Sequence, residues 1–238
     1  MRARSLREAA CEANLAIQRE GLVLMTWGNA SVADRSAGLF AIKPSGVTYD
    51  QLRPANMVLV ELETGRVVDA GRWRPSSDTP THRALYLAFA GVGGIVHTHS
   101  PCATAWAQAG RDLPCLGTTH ADYFFGAVPC TRTMTKPQIQ GGQGYEHNTA
   151  LVIIREFKRR KLDPLQVPGA LVRGHAPFVW GKDGPDAVQH AVVLEGVAEM
   201  ALRALVLNPA AKPISVALLE KHFLRKHGAH AYYGQANR

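Results

Sequence analysis

His97 and His99 flank a single threonine in the run Gly93-Gly94-Ile95-Val96-His97-Thr98-His99-Ser100-Pro101. Ile-Val after a glycine pair favours a strand, and a strand sends residues i and i+2 to one face. Two imidazoles one residue apart on a rigid face chelate a divalent metal. Ser100 can cap a helix and Pro101 suits its first position, so the pair is expected at a strand end that opens to solvent. By itself His-x-His equally describes two half-buried histidines bonded to neighbours, so metal binding requires more ligands.

His175 follows another short apolar stretch, Ala170-Leu171-Val172-Arg173. Three histidines with an open position are the arrangement of catalytic rather than structural zinc. On the sequence alone His82, His120 and His175 compete for the third place. Asp78 is a candidate fourth ligand or a base beside the metal. It directly precedes a helix, where its other role is capping.

Three small polar turns, Gly28-Asn29, Ser45-Gly46 and Ser76-Ser77, could bring amides and hydroxyls to a phosphate, with Lys43 adding charge. Turns are made of such residues anyway; their occurrence beside a metal candidate is what suggests a phosphate site. Asp122 and Tyr233 are candidate proton carriers, as are Glu146 and His222. Cys102, three residues after His99, could serve as a thiolate but reads as a small apolar residue on the helix that Pro101 begins.

The elements that must position these groups follow from pattern. Ser5-Leu6-Arg7-Glu8 reads as a capping box opening a helix that Gly21 ends. Leu22 to Thr26 reads as a strand or buried loop. Strands are expected at 39–43, 57–62, 66–68, 127–131 and 170–173. Helices are expected from Thr79, from Pro101, from about Thr149 to Lys161, from Pro185 to Leu207, and from Ser215 to Gly228. An aromatic tail, Tyr232-Tyr233, is unusual for a frayed end. Short strands mixed with helices indicate a layered α/β or α+β fold. There is no regular βαβ alternation and no G-x-G-x-x-G, which excludes a dinucleotide-binding fold.

The chain has 238 residues and no dividing linker, so a single domain over 1–238 is expected. With 46% hydrophobic and 19% charged residues it is an ordinary globular sequence. No apolar run reaches membrane-spanning length, and Met1-Arg2-Ala3-Arg4-Ser5 leads into an amphipathic pattern without a signal core. The expected location is the cytoplasm, with no membrane partner. Four cysteines without Cys-x-x-Cys fit reduced thiols. A net charge of +8 permits nucleic-acid binding, but the basic residues are scattered. The one tight run, Lys158 to Lys161, ends a helix, where cations suit the dipole. No nucleic-acid partner is expected, only a general bias toward anionic substrates.

Several stretches in order resemble the L-ribulose-5-phosphate 4-epimerases of the class II aldolase and adducin-head superfamily. They are Thr26-Trp27-Gly28-Asn29-Ala30-Ser31, Lys43-Pro44-Ser45-Gly46-Val47, Pro75-Ser76-Ser77-Asp78-Thr79-Pro80-Thr81-His82 and Gly94-Ile95-Val96-His97-Thr98-His99-Ser100. Gly117 to Phe124 and Leu224 through Gln235 match as well. The resemblance implies a three-layer α-β-α domain with a central, largely antiparallel sheet flanked by helices. It implies a Zn2+ site, or one for Mn2+ or Co2+, of His97, His99 and His175 with Asp78 at its edge. Gly28, Asn29, Ser45, Gly46, Ser76 and Ser77 would bind a ketose phosphate. Asp122 and Tyr233 match the family's acid/base pair, with Tyr233 contributed to a neighbouring subunit of a homotetramer.

The implied reaction converts L-ribulose 5-phosphate to D-xylulose 5-phosphate by breaking and re-forming the C3–C4 bond, as in L-arabinose and other pentose breakdown. Two proton carriers are needed because the C4 oxygen lies on opposite sides before and after inversion. No organic cofactor is required. The resemblance leaves two rivals. One is a ketose-phosphate aldolase of the L-fuculose-1-phosphate type, in which a Glu tends to stand where this chain has Asp78. The other is a non-catalytic adducin-head-like interaction domain, in which the metal ligands could be lost.

Overall fold

The computed structural model describes residues 3–142, 144–228 and 231–232. The strands are β1 (Asn29–Asp34), β2 (Leu39–Ile42), β3 (Val58–Glu61), β4 (Val67–Asp69), β5 (Gly94–His97), β6 (Gly169–Leu171) and β7 (Pro177–Gly181). The helices are α1 (Ala3–Arg19), α2 (Thr79–Ala88), α3 (Pro101–Ala109), α4 (Thr118–Ala121), α5 (Lys136–Gln140), α6 (Tyr145–Arg160), α7 (Gly184–Leu207) and α8 (Val216–His227). The strands form one sheet in the order β4-β3-β2-β1-β5-β7-β6, every neighbouring pair antiparallel.

Strand alternation divides the core into two layers. Phe40, Ile42, Val58, Val60, Ile95, Phe178 and Trp180 pack with Leu85 and Tyr86 of α2 and Ile153 and Phe157 of α6. Ala41, Leu59, Val96 and Val179, the intervening residues, pack with Leu6 and Ile17 of α1, Trp106 of α3 and Leu194 of α7. The sheet therefore lies between helical layers, giving the expected α-β-α sandwich. Full burial of each large side chain contributes about 1.5–3 kcal/mol, so both faces are tightly specified.

Gly93 and Gly94 have a steric role. A Cβ on either would stand 2.2 Å from a backbone oxygen, that of Lys182 or Asp183. The glycine pair lets the turn from β7 into α7 lie directly against the start of β5.

Several local expectations differ from the structure. By Ser5 α1 is already under way, so Ser5 does not cap it; Arg4 and Glu8 instead pair across one turn. Leu22 to Thr26 forms no strand: Leu22 is buried as a loop residue would be, but the chain turns after it, with Leu24 and Met25 exposed and Met25 at φ 53°. The stretch 127–131 makes only isolated bridges, Leu113 to Val128 and Cys130 to Leu171. Strand β7 escapes sequence reading because Pro177 and Gly181 bracket only Phe-Val-Trp between them. α6 begins at Tyr145, ahead of the expected Thr149. Among the described residues no helix is long and apolar enough to cross a membrane.

Candidate metal centre and substrate cleft

His97 is the last residue of β5, paired in register with Asn29 on one side and Phe178 on the other. The Phe178 ring stacks on its imidazole at 4.1 Å and 10°. His97 Nδ1 donates to the Pro177 carbonyl oxygen at 2.9 Å, which fixes the tautomer and leaves Nε2 with its lone pair. β5 ends at His97, so His99 lies beyond the strand rather than on its face. The two rings nevertheless stand 4.9 Å apart.

His175 occupies the tip of the β6–β7 connection. Its N–H donates to Val172 O, and Val172 N donates to Ala176 O, closing a tight turn after Gly174 at φ 72°. The His175 ring lies 4.9 Å from His97 and 5.0 Å from His99. The ligand atoms of the three histidines lie within 4.8 Å of one another.

Geometry brings His175, rather than His82 or His120, together with His97 and His99. His82 is fully buried, with Nδ1 at 2.7 Å from Ser31 Oγ, which also meets the Tyr86 hydroxyl at 2.8 Å. His120 Nε2 donates to Gly126 O at 2.8 Å. Neither joins the cluster.

Burial, with the neighbouring imidazoles, pushes the His175 pKa down to about 4, and burial lowers that of His99. Both shifts favour the neutral ring, the state in which imidazole binds metal. Asp78 stays ionised. Burial raises its pKa, but His97, His82 and a hydrogen bond from Asn29 together outweigh burial and hold it below its usual value. Asp78 precedes α2 without capping it through its side chain; its Oδ2 instead accepts from Asn29 Nδ2 at 2.7 Å. Three imidazole nitrogens beside a carboxylate fit a divalent cation of the zinc type.

A cleft of about 580 Å3 opens over this cluster. It is lined by Thr26, Trp27, Gly28, Asn29, Lys43, Pro44, Ser45, Gly46, Ser76, Ser77, Asp78, His97, His99, Tyr145, Glu146 and His175. All three polar turns thus converge with the histidines and Asp78. The loops at 43–46 and 74–77 are joined to each other: Ser45 N donates to Arg74 O and Ser76 N to Lys43 O, both at 2.9 Å. Asn29 Nδ2 ties in the third turn by also donating to Ser76 Oγ at 3.1 Å. Gly28, at φ 75°, passes so close to β5 that a Cβ would lie 2.8 Å from His97 O.

Lys43 is 2% exposed, its Nζ 3.3 Å from Thr26 O and 4.9 Å from the Tyr49 ring centre. Among the described residues no carboxylate pairs with it, and burial brings its pKa down to about 8. A buried cation without a counter-ion, at the floor of a polar cleft, suits an anionic ligand.

Tyr145 carries no motif that sequence reading singles out, yet its hydroxyl stands 3.4 Å from His175 Nδ1. Its signal is the extra first turn of α6, obscured by the glycine-rich segment before it. A second concavity of about 520 Å3, between α1 and α7, is walled mostly by apolar residues, among them Ala13, Ala16, Val188 and Val192, with Glu12, Glu20 and Gln189 also on its lining.

Asp122 does not line the histidine cleft of its own chain. It ends α4 and is held by α8: Arg225 Nε and Nη2 donate to its two carboxylate oxygens at 3.1 and 2.7 Å, and His222 Nδ1 lies 3.0 Å from Oδ1. His227 Nε2 donates to its backbone oxygen at 2.9 Å. Tyr233 lies outside the described residues.

Residues 8–202 match the family described as Class II Aldolase and Adducin N-terminal domain. The chain belongs to this family. As a class II aldolase family member it is 54% identical over 230 residues to L-ribulose-5-phosphate 4-epimerase UlaF of Salmonella paratyphi B, covering 97% of this chain and 98% of that protein. The UlaF protein of Salmonella typhi is likewise 54% identical over the same share of each chain. Among solved structures, an L-fuculose 1-phosphate aldolase superposes with a TM-score of 0.76 at 21% identity, covering 92% of this chain and 94% of its own. L-fuculose-1-phosphate aldolase from Thermus thermophilus gives 0.65 at 24% identity, covering 90% and 100%. At that identity the structural likeness establishes the fold that this class II aldolase family member shares with both.

Proposed function

We propose that this chain is a metal-dependent isomerase that interconverts L-ribulose 5-phosphate and D-xylulose 5-phosphate by inverting C4. The observation that carries the reading is 54% identity, end to end, to proteins named for that activity. The cleft contains the chemistry the reaction needs. A divalent cation held by His97, His99 and His175, zinc with manganese or cobalt as substitutes, supplies the Lewis acidity that carbon–carbon cleavage requires.

The remaining work falls to the chain itself. Backbone amides and hydroxyls of Gly28, Asn29, Ser45, Gly46, Ser76 and Ser77 bind the sugar phosphate, and Lys43 neutralises part of its charge. Asp78, kept ionised and aimed by Asn29, borders the cation. Asp122 and Tyr233 take and return the C4 hydroxyl proton on opposite faces of the aldehyde formed when C3–C4 breaks.

Because Asp122 does not line its own cleft and is bonded to α8, which precedes Tyr233 in the sequence, we assign both to the site of a neighbouring subunit in a homotetramer. Exposed apolar residues of α7 and α8, among them Met200, Val206, Leu207 and Leu224, support such an assembly. We further read 1–238 as one domain, acting in the cytoplasm in pentose breakdown, without nucleic-acid or membrane partners; its cysteines are free.

The test is incubation of the purified protein with L-ribulose 5-phosphate. D-xylulose 5-phosphate should form, cease after chelation, and return with zinc, manganese or cobalt. Glycolaldehyde phosphate accumulating in its place would mark an aldolase. No turnover by metal-loaded protein would mark an interaction domain.

A further inference from the structure

The three histidines are not held alike. His97 is fixed by the β5 ladder, the Phe178 stack and the Pro177 carbonyl. His175 sits in a closed turn with Tyr145 beside it. Among the described residues the His99 ring has no hydrogen-bond partner; its nearest ring outside the cluster is Trp27, at 6.3 Å. Its position is therefore set by its backbone, which spans the short gap between the end of β5 and the start of α3.

What fixes the start of α3 is not its own capping residue. Ser100 occupies the cap position but makes no side-chain cap bond; its hydroxyl accepts from Thr98 Oγ1 at 3.2 Å. The cap comes from α7. Glu195 Oε1 accepts from Cys102 N at 2.7 Å and Oε2 from Ala103 N at 2.9 Å. A carboxylate straddling two free amides at the positive end of a helix makes two charge-assisted bonds and defines the helix in two directions. α7 is itself fixed, since it packs on β5 and β7 and is capped by Asp183.

We infer that Glu195 is a positioning residue for the metal centre, acting through α3 to hold His99 in its place beside His97 and His175. The inference rests on the three-histidine metal reading. The chain of contacts runs from the α7 carboxylate to the α3 amides, through Pro101 and Ser100, to His99. Partners beyond the ligands themselves typically change metal affinity 10–100-fold when removed.

Cobalt serves as probe, because its visible absorption reports ligand geometry independently of turnover. Its affinity and spectrum are compared in wild type, Glu195→Ala, Glu195→Gln and two controls. Glu195→Ala should lose affinity 10–100-fold and shift the absorption bands. Glu195→Gln, of the same shape but keeping one acceptor, should lose several-fold. Glu199→Gln, one turn along α7 and paired with Arg203, should match wild type. Trp106→Phe removes another α3–α7 tie, the bond from Trp106 Nε1 to Ala198 O at 3.0 Å, and should lower thermal stability without moving the bands.

Affinity within twofold of wild type and unchanged bands in both Glu195 variants would overturn the inference, whatever their melting temperatures. If Glu195→Ala does not fold, Glu195→Gln alone decides by the same criterion. Equal band shifts in Trp106→Phe would also overturn it, as general loosening. Failure of wild type to bind cobalt would instead overturn the metal reading beneath it.

Discussion

Arg225 grips Asp122 with one edge of its guanidinium, Nε on Oδ1 at 3.1 Å and Nη2 on Oδ2 at 2.7 Å. The pair joins α4 to α8 and so ties Asp122 to the segment that precedes Tyr233. Removing it should disturb the proposed proton carriers while leaving the proposed metal ligands alone.

Arg225→Ala should therefore lower activity at least about tenfold with metal content unchanged, and lower stability by about 1–3 kcal/mol. The pH dependence has a definite sign. Burial raises the Asp122 pKa, but Arg225, His222 and Lys226 together outweigh it and hold it below the usual range. A carboxyl lowered by folding contributes stability above its unfolded pKa of roughly 3.9 and loses it as pH falls through the lower folded value. Urea unfolding from pH 6 to pH 2 should show wild type losing more stability than the variant. Equal losses would mean that the pair contributes nothing to acid sensitivity.

His97→Asn and Tyr233→Phe should separate metal binding from proton transfer. The first should remove metal and activity together. The second should keep stoichiometric metal and lose about 10²–10⁴ in rate. Metal analysis beside turnover checks both; equal metal loss in the two variants would contradict the assigned roles.

Lys43 should set an alkaline limit. Its pKa, brought down to about 8 by burial, means that the cation is lost as pH rises through that value. A sugar phosphate is already dianionic there, its second pKa being roughly 6. kcat/KM, which reports the free enzyme, should fall above about pH 8. Lys43→Gln should lower kcat/KM about 10–100-fold and abolish that limb. A limb that survives in the variant would assign it to another group.

Gly94→Ala and Gly196→Ala should act in opposite directions. A Cβ at Gly94 meets Asp183 O at 2.2 Å, whereas none of the surroundings of Gly196 in α7 lies within 4 Å of one. The first change should destabilise by more than about 2 kcal/mol; the second should stabilise by about 0.5–1 kcal/mol. Thermal melting of the two variants decides.

The residue types disclosed more of the cleft than of the scaffold beneath it. The three polar turns and His97-x-His99 were legible because small polar residues at element ends and paired imidazoles carry their chemistry locally. The grouping of His175, rather than His82 or His120, with His97 and His99 depended on which strands pair, a property of residues far apart in sequence. β7 was hidden for the same reason: its burial comes from α2, α6 and α7, not from its own alternation. Ser100 and Asp78 had the right types for caps but lost that role to tertiary contacts, Glu195 in one case and Asn29 in the other. Asp122 was a candidate carrier by resemblance, while its absence from the lining of its own cleft was visible only in three dimensions.

The antiparallel ladder also imposes an order of events. β5 meets β1 and β7, both distant in the chain, and a slip of one residue along β7 would turn Phe178 away from His97 and displace the hairpin tip that bears His175. Pairings between remote segments form late, because chain closure must come first. The three nitrogens can converge only once the central strands have found their final alignment. On the proposed metal reading, capture at this centre would follow folding rather than start it, and a cation trapped early would be held by some other set of side chains.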